Sequence, residues 1–315
     1  MRILLDVDGS PYSDMAVETL KALQLPAETE ITVMTVVPEH SFLGGLTLHM
    51  LRSKTASGDQ SHHVQEQRAT ELVRQPVETL REGGIKAKSL VRWGKPAEQV
   101  IKQASEMSAD LVVIGAKGIG DPPRFPLGSA AQKVMKYADA SVLLVREGVS
   151  RMRRVLLATD GSRYSDAVAD FLLRLPLPLE CQVIVVTALQ SYTAALVRTP
   201  TLDFETNRKL LAELREAEEQ AAGTLTAKIR KRFGAKGYDT ESLILQGDPA
   251  EEIIVASRTV NPDLIAVGAK GLTGIESFLL GSVAQRVARF SSFCVLIGRE
   301  PKRELGRRTG STKPG

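Results

Sequence analysis

The sequence predicts an α/β protein of two tandem doubly wound domains, each a five-stranded parallel sheet with helices on both faces. Three observations predict it. Short apolar runs alternate with stretches of helical length along the 315 residues, the pattern of parallel strands joined by crossover helices. The apolar runs lack clean in–out alternation, which suits strands covered on both sides. The chain also repeats itself. Residues 2–16, R-I-L-L-D-V-D-G-S-P-Y-S-D-M-A, resemble residues 154–168, R-V-L-L-A-T-D-G-S-R-Y-S-D-A-V. A duplicated unit of this size predicts domains at residues 1–146 and 152–300, joined by a basic link around Arg151 to Arg154.

In the first unit, Ile3–Val7 reads as a strand, and Ser10 or Ser13 can cap a helix running to Leu23. Pro26 breaks the chain before a second strand, Ile31–Val37. A polar stretch of little signal follows, Glu39 to Asp59, then a long helix from about His62 to Glu82. Pro76 predicts a kink or break inside that helix. Gly83-Gly84 ends it before a third strand, Ala87–Arg92. Pro96 suits a helix first turn, where its missing N–H costs little. Leu111–Ile114 is the fourth strand, Gly128-Ser129 opens the last helix, and Val142–Val145 is the fifth strand.

The second unit reads likewise. Its strands are Val155–Thr159, Val183–Thr187, Glu241–Gln246, Leu264–Val267 and Val295–Ile297, with a long helix over Phe204–Phe233. Gly247-Asp-Pro-Ala-Glu repeats Gly94-Lys-Pro-Ala-Glu.

Charge is unevenly spread. Arg299 to Gly315 carries six basic and two acidic residues, which accounts for the whole net charge of +4. The folded body is therefore balanced, and the pI of about 9.0 belongs to a basic tail at 301–315 that is expected to be disordered. This argues against a nucleic-acid binder, which needs a basic stripe on the body. Cys181 and Cys294 lie in apolar runs and read as buried thiols, not as a disulfide or metal pair. The chain opens directly on a strand pattern, without the apolar region of a signal peptide, and no apolar run reaches the ~18 residues of a membrane span. A cytoplasmic protein is expected.

The stretch with most chemistry is L-V-V-I-G-A-K-G from Leu111, nine residues, then G-S-A-A-Q-K-V; it recurs from Leu264 as L-I-A-V-G-A-K-G, nine residues, G-S-V-A-Q-R-V. A buried strand runs into a glycine turn, a loop, and a Gly-Ser at a helix start. Glycines let backbone N–H groups approach a ligand, and a helix N-terminus favours an anion. The N–H groups of Gly128, Ser129 and the following Ala130, and of Gly281, Ser282 and Val283, can hold phosphate oxygens, with Lys117 and Lys270 as sources of charge. In a parallel sheet the ligand crevice lies beyond the strand carboxyl ends at a switch in strand order. Asp8 and Asp160 end first strands there, while Gly115 and Gly268 end fourth strands. Each aspartate can accept from a ribose hydroxyl or a base N–H; equally, an aspartate before Gly-Ser is an ordinary turn residue. Neither a G-x-x-x-x-G-K-[ST] loop nor a G-x-G-x-x-G after the first strand is present.

The spacing G-x2-G-x9-G-[S/T] after a buried strand, paired with an early D-G-S, resembles the universal stress protein family, over essentially residues 1–298. Each copy matches the nucleotide motif of the family's ATP binders: Gly115, Gly118, Gly128, Ser129, and Gly268, Gly271, Gly281, Ser282. The resemblance implies two ATP sites, possible magnesium with the nucleotide, adenine contacts from Asp8 and Asp160, a base pocket lined by Val36 and Ala188, and backbone contacts from Val7 and Thr159. It implies too that Val142–Val145 and Val295–Ile297, edge strands through which family members dimerise, pair within this one chain as a pseudo-dimer; a further homodimer is left open. The two copies differ in their nine-residue loops. I-G-D-P-P-R-F-P-L holds three prolines, whereas L-T-G-I-E-S-F-L-L holds none.

Rapid phosphoryl transfer needs metal ligands, a water-orienting group and often an arginine finger, and no such set is recognisable. Ser10, Ser129 and Ser282 have no evident base. His40, His49, His62 and His63 have no metal spacing. The expected function is an ATP-binding stress-response or signalling module whose nucleotide state is read by protein partners. The alternatives are a slow ATPase or phosphotransferase, and a scaffold with vestigial sites.

Overall fold

The computed structural model describes residues 1–38, 58–122, 124–175, 177–189, 204–272 and 280–300. The expected disordered tail at 301–315, together with His40 and His49, lies outside them. The first repeat contains β1 (Arg2–Asp6), α1 (Pro11–Ala22), β2 (Glu30–Val37), α2 (Gly58–Glu82), β3 (Lys86–Trp93), α3 (Pro96–Glu106), β4 (Leu111–Gly115), α4 (Ser129–Tyr137) and β5 (Ser141–Val145). The second contains β6 (Arg154–Ala158), α5 (Arg163–Arg174), β7 (Gln182–Leu189), α6 (Phe204–Gly234), β8 (Asp239–Gln246), α7 (Pro249–Val260), β9 (Leu264–Gly268), α8 (Ser282–Phe290) and β10 (Cys294–Gly298).

The first helix of each repeat is started by a serine. Ser10 Oγ accepts from the Ser13 N–H at 3.3 Å, and Ser162 Oγ from the Ser165 N–H at 3.2 Å. Ser10 rather than Ser13 is therefore the cap. Pro76 does not break α2, which runs unbroken through it. Val73, Val77 and Leu80 are buried on that helix, and their burial outweighs the ~3 kcal/mol that an interior proline costs.

Each repeat pairs its strands in parallel in the order β3-β2-β1-β4-β5, mirrored by β10-β9-β6-β7-β8. The halves join through β5 and β10, which run antiparallel with Leu144 opposite Val295, Leu143 opposite Leu296 and Val142 opposite Ile297. The result is one sheet of ten strands. Alternation along each strand feeds two apolar layers. Ile3, Leu5 and Leu157 face α1, α2, α5 and α6, where Leu20, Leu80, Phe171 and Phe233 are buried. Leu4, Val112 and Leu156 face α3, α4, α7 and α8, where Val100, Val134, Ile253 and Val287 are buried. Both layers continue across the β5–β10 seam.

Two arginines lock that seam. Arg146, just past β5, donates to the carbonyls of Ala288 (2.6 Å) and Arg289 (3.1 Å) at the end of α8. Arg299, just past β10, donates to the carbonyls of Met135 (2.5 Å) and Lys136 (3.4 Å) at the end of α4. Each guanidinium thus satisfies the orphan carbonyls of a helix in the opposite half and opposes the negative end of its dipole. The Arg299 N–H also donates to Ser141 Oγ at 3.2 Å. In the mirror position stands Cys294, whose Sγ donates to the Glu147 carbonyl at 3.2 Å. Both thiols are buried, and burial pushes that of Cys181 up to about 12; they are structural residues, as expected.

One departure from the repeat sits at the end of β1. Ala158 closes β6 inside the apolar layer, whereas the matching residue of β1 is Asp6. Burial, and then the nearby Asp8 carboxylate, push the Asp6 carboxyl up to about 7. The folded state therefore holds this proton more tightly than the unfolded chain.

Two predictions follow from this architecture. Arg146→Ala leaves helix-end carbonyls unmet and should cost about 2 kcal/mol in denaturant unfolding, with Arg299→Ala costing a similar amount. Stability from the Asp6 proton is complete below about pH 4 and is lost as pH rises through about 7. Thermal melts of D6A should accordingly gain on the parent protein over that window, and the difference should level off above it.

Candidate functional site

In each repeat the strand order turns back between the first and fourth strands, so a crevice opens at the carboxyl ends of β1 and β4, and of β6 and β9. The sequence between first strand and first helix, Asp-Gly-Ser, is a tight turn whose glycine takes φ +81° at Gly9 and +77° at Gly161. That turn presents the aspartate to the crevice. Asp8 Oδ1 accepts from the Ser10 N–H (3.0 Å) and Oδ2 from the Ile119 N–H (2.9 Å). Asp160 repeats this with the N–H groups of Ser162 (3.0 Å) and Leu272 (3.0 Å). The aspartate is thus a clip between the turn after the first strand and the glycine loop after the fourth. A carboxylate has about four acceptor positions, so the clip leaves room for a ligand donor.

The motif glycines have separate physical reasons. A Cβ on Gly115 would lie 2.7 Å from Tyr12 Cβ, and one on Gly268 2.8 Å from the Tyr164 carbonyl carbon. These two glycines let the first turn of α1 or α5 press on the strand end. A Cβ on Gly118 would lie 2.5 Å from Asp8 Oδ2, and one on Gly271 2.7 Å from Asp160 Oδ2; these admit the clip. Gly128 and Gly281 are the N-caps of α4 and α8 and bring no capping side chain. Their own N–H groups are committed, to the Ala116 carbonyl (2.8 Å) and the Ala269 carbonyl (2.7 Å). The N–H groups of Gly128 and Gly281, expected to face phosphate, are thus spent within the chain, whereas those of Ser129 and Ala130, and of Ser282 and Val283, lie in the first helical turn, where N–H groups lack intrahelical partners.

Val7 and Thr159 spend their N–H groups on the sheet, donating to the Met34 and Val186 carbonyls at 2.8 Å each. The buried Thr159 hydroxyl bonds Ser165 Oγ at 3.2 Å. Lys117 offers its carbonyl to Ser10 Oγ at 3.3 Å. The Lys270 ammonium stands 5.7 Å from the centre of the Tyr164 ring, a cation–π distance. Val36 lies at the end of β2 beside a cavity of about 330 Å³, lined also by Thr35, Val37, Pro38, Gln65, Arg68, Ala69 and Leu72. That volume lies within the ~300–1,000 Å³ typical of small-molecule sites. Leu72 joins the cavity to the aspartate turn, since a Cβ on Gly9 would meet its Cδ1 at 3.1 Å. Ala188 is near the end of β7 in the mirror position, and is half-buried.

Sequence reasoning missed one residue. Asp121 Oδ2 accepts from the Gly118 N–H at 2.7 Å and Oδ1 from the Ser129 N–H at 3.3 Å. Its carboxylate therefore sits at the start of α4, on the donors expected to hold phosphate. The signal lay in the repeat: the matching residue is Gly274.

Among the described residues no group of three His, Cys, Asp or Glu side chains can hold a metal ion, and no helix is long and apolar enough to cross a membrane.

Comparison with known proteins agrees with this architecture. The model of the universal stress protein family matches residues 1–146 and again 152–299. A universal stress protein of Methanocaldococcus jannaschii is 31% identical over 161 residues, 51% of this chain and 90% of its own length. One of Bacillus subtilis is 26% identical over 148 residues, 46% of this chain and 98% of its own. The crystal structure of a universal stress protein from Archaeoglobus fulgidus has the same fold, with a TM-score of 0.63 and 20% identity, over 95% of this chain and 98% of that one. The two matched segments together span the ten-stranded sheet, and the chain belongs to the universal stress protein family as a tandem, two-domain member.

Proposed function

We propose that this protein binds ATP at the crevice beyond its first and fourth strands and acts as a nucleotide-dependent stress-response or signalling module without fast turnover. The observation that supports it most is the aspartate clip. By bonding Asp160 to the Leu272 amide and Asp8 to the Ile119 amide, it ties a base-side group to the loop that leads to a helix N-terminus. A nucleotide needs those two features a few ångströms apart: an acceptor for base or ribose donors, and backbone amides with a favourable dipole for phosphate. The first repeat adds an apolar cavity beside Val36 where a base can lie. Asp8, Asp160, Gly118, Gly271, Ser129 and Ser282 are the site residues of this reading, with Val7, Val36, Thr159 and Ala188 on the base side. Magnesium would enter with the triphosphate. The nucleotide state would then be read by protein partners at the loops carrying Ile119 and Leu272, both exposed.

Two measurements test this. Calorimetry should show ATP binding to the purified protein, and Gly271→Val should weaken it by ~10-fold or more, because the branched side chain drives Asp160 off the loop; a flat titration of the parent protein sinks the proposal. Magnesium-dependent phosphate release should stay at the level of a Gly128→Val/Gly281→Val variant. Release clearly above that level would favour the alternative reading, a slow ATPase.

A further inference from the structure

We infer that Asp121 is a resident anion that bars nucleotide phosphate from the first crevice, so that the chain takes one ATP, in the second. This rests on the nucleotide reading and divides it between the two repeats. The Asp121 carboxylate occupies the cradle by accepting from Gly118 N–H and Ser129 N–H. These are bonds from backbone amides to a charged acceptor at a helix N-terminus, the kind a phosphate oxygen would make. It fills the space as well as the bonds: a Cβ on Gly128 would fall 2.1 Å from Asp121 Oδ2. In the sequence repeat the residue that matches Asp121 is Gly274, which carries no carboxylate.

The loop also holds the carboxylate in place. The Asp121 N–H donates to the Gly118 carbonyl (3.3 Å) and the Phe125 N–H to the Pro122 carbonyl (3.1 Å). Arg146 fixes the far end by donating to the Pro126 carbonyl at 2.8 Å. Pro122 and Pro126 restrict the backbone between these ties. A phosphate entering here must expel a bonded carboxylate or sit against it, and like charges in contact weaken binding strongly.

The test follows the Ser129 and Ser282 backbone amides by NMR during an ATP titration of the full chain, with calorimetric stoichiometry alongside. The expected result is one ATP per chain, a shift at Ser282, and none at Ser129. In D121G the Ser129 amide should shift too, the stoichiometry should rise to two, and affinity at the first crevice should rise by ~10-fold or more. D121N, which keeps the shape and removes the charge, should move the same way and covers the case in which D121G does not fold. A Ser129 shift in the parent protein at the same ATP concentration as Ser282 overturns the inference and leaves the ATP reading standing. So does a Ser129 amide that stays silent in both variants while Ser282 responds. Silence at both amides in every form overturns the ATP reading and this inference with it.

Discussion

The antiparallel pairing of β5 with β10 is the constraint on which the rest of the molecule depends. Each repeat alone would expose an edge of five consecutive buried residues, Ser141–Val145 or Cys294–Gly298. Such an edge pairs with whatever strand it meets. Joining the two edges removes both and lets each apolar layer run through the whole chain. The arginines that follow these strands then have a fixed place to reach, the frayed end of the last helix of the other half. Arg146 also carries the seam to the crevice, because the same guanidinium holds the Pro126 carbonyl of the glycine loop. Sheet, seam and site are in this way one connected structure.

Within each half the aspartate clip plays the corresponding part. It binds the turn after the first strand to the loop after the fourth by side-chain hydrogen bonds in both copies. The glycine motif is then less a phosphate motif as a whole than three solutions to three steric demands. One glycine admits a helix, one admits the clip, and one opens a helix without a side chain.

Much of the fold was legible because it is written in repetition. Alternating apolar runs at matching offsets, Asp-Gly-Ser twice and Gly-x-Pro-Ala-Glu twice, mark equivalent elements whatever their exact bounds. The first helix start was legible to within Ser10 or Ser13, since capping is local chemistry, and Ser10 is the cap. What was not legible depended on the third dimension. Pro76 argued locally for a break, and burial of the helix face around it decided otherwise. Asp121 drew no reading of its own, because nothing in the order of residues says that its carboxylate folds back onto Gly118 and Ser129. Arg146 and Arg299 stood in plain view at matching offsets, but their partners lie in the opposite half. Asp6 was read through as strand, although its counterpart Ala158 marks it as the one acid in an apolar series.

The single chain that carries both halves of the seam has a further consequence. An interface between separate subunits is lost on dilution, since the second partner must be found in solution. Here the partner of β5 is fixed to the same chain, so its local concentration is set by the link through Arg151 and not by how much protein is present. The ten-stranded sheet should therefore look the same when the protein is scarce as when it is abundant. Whatever the crevices report would then be a response to ligand alone, free of any dependence on the amount of protein made.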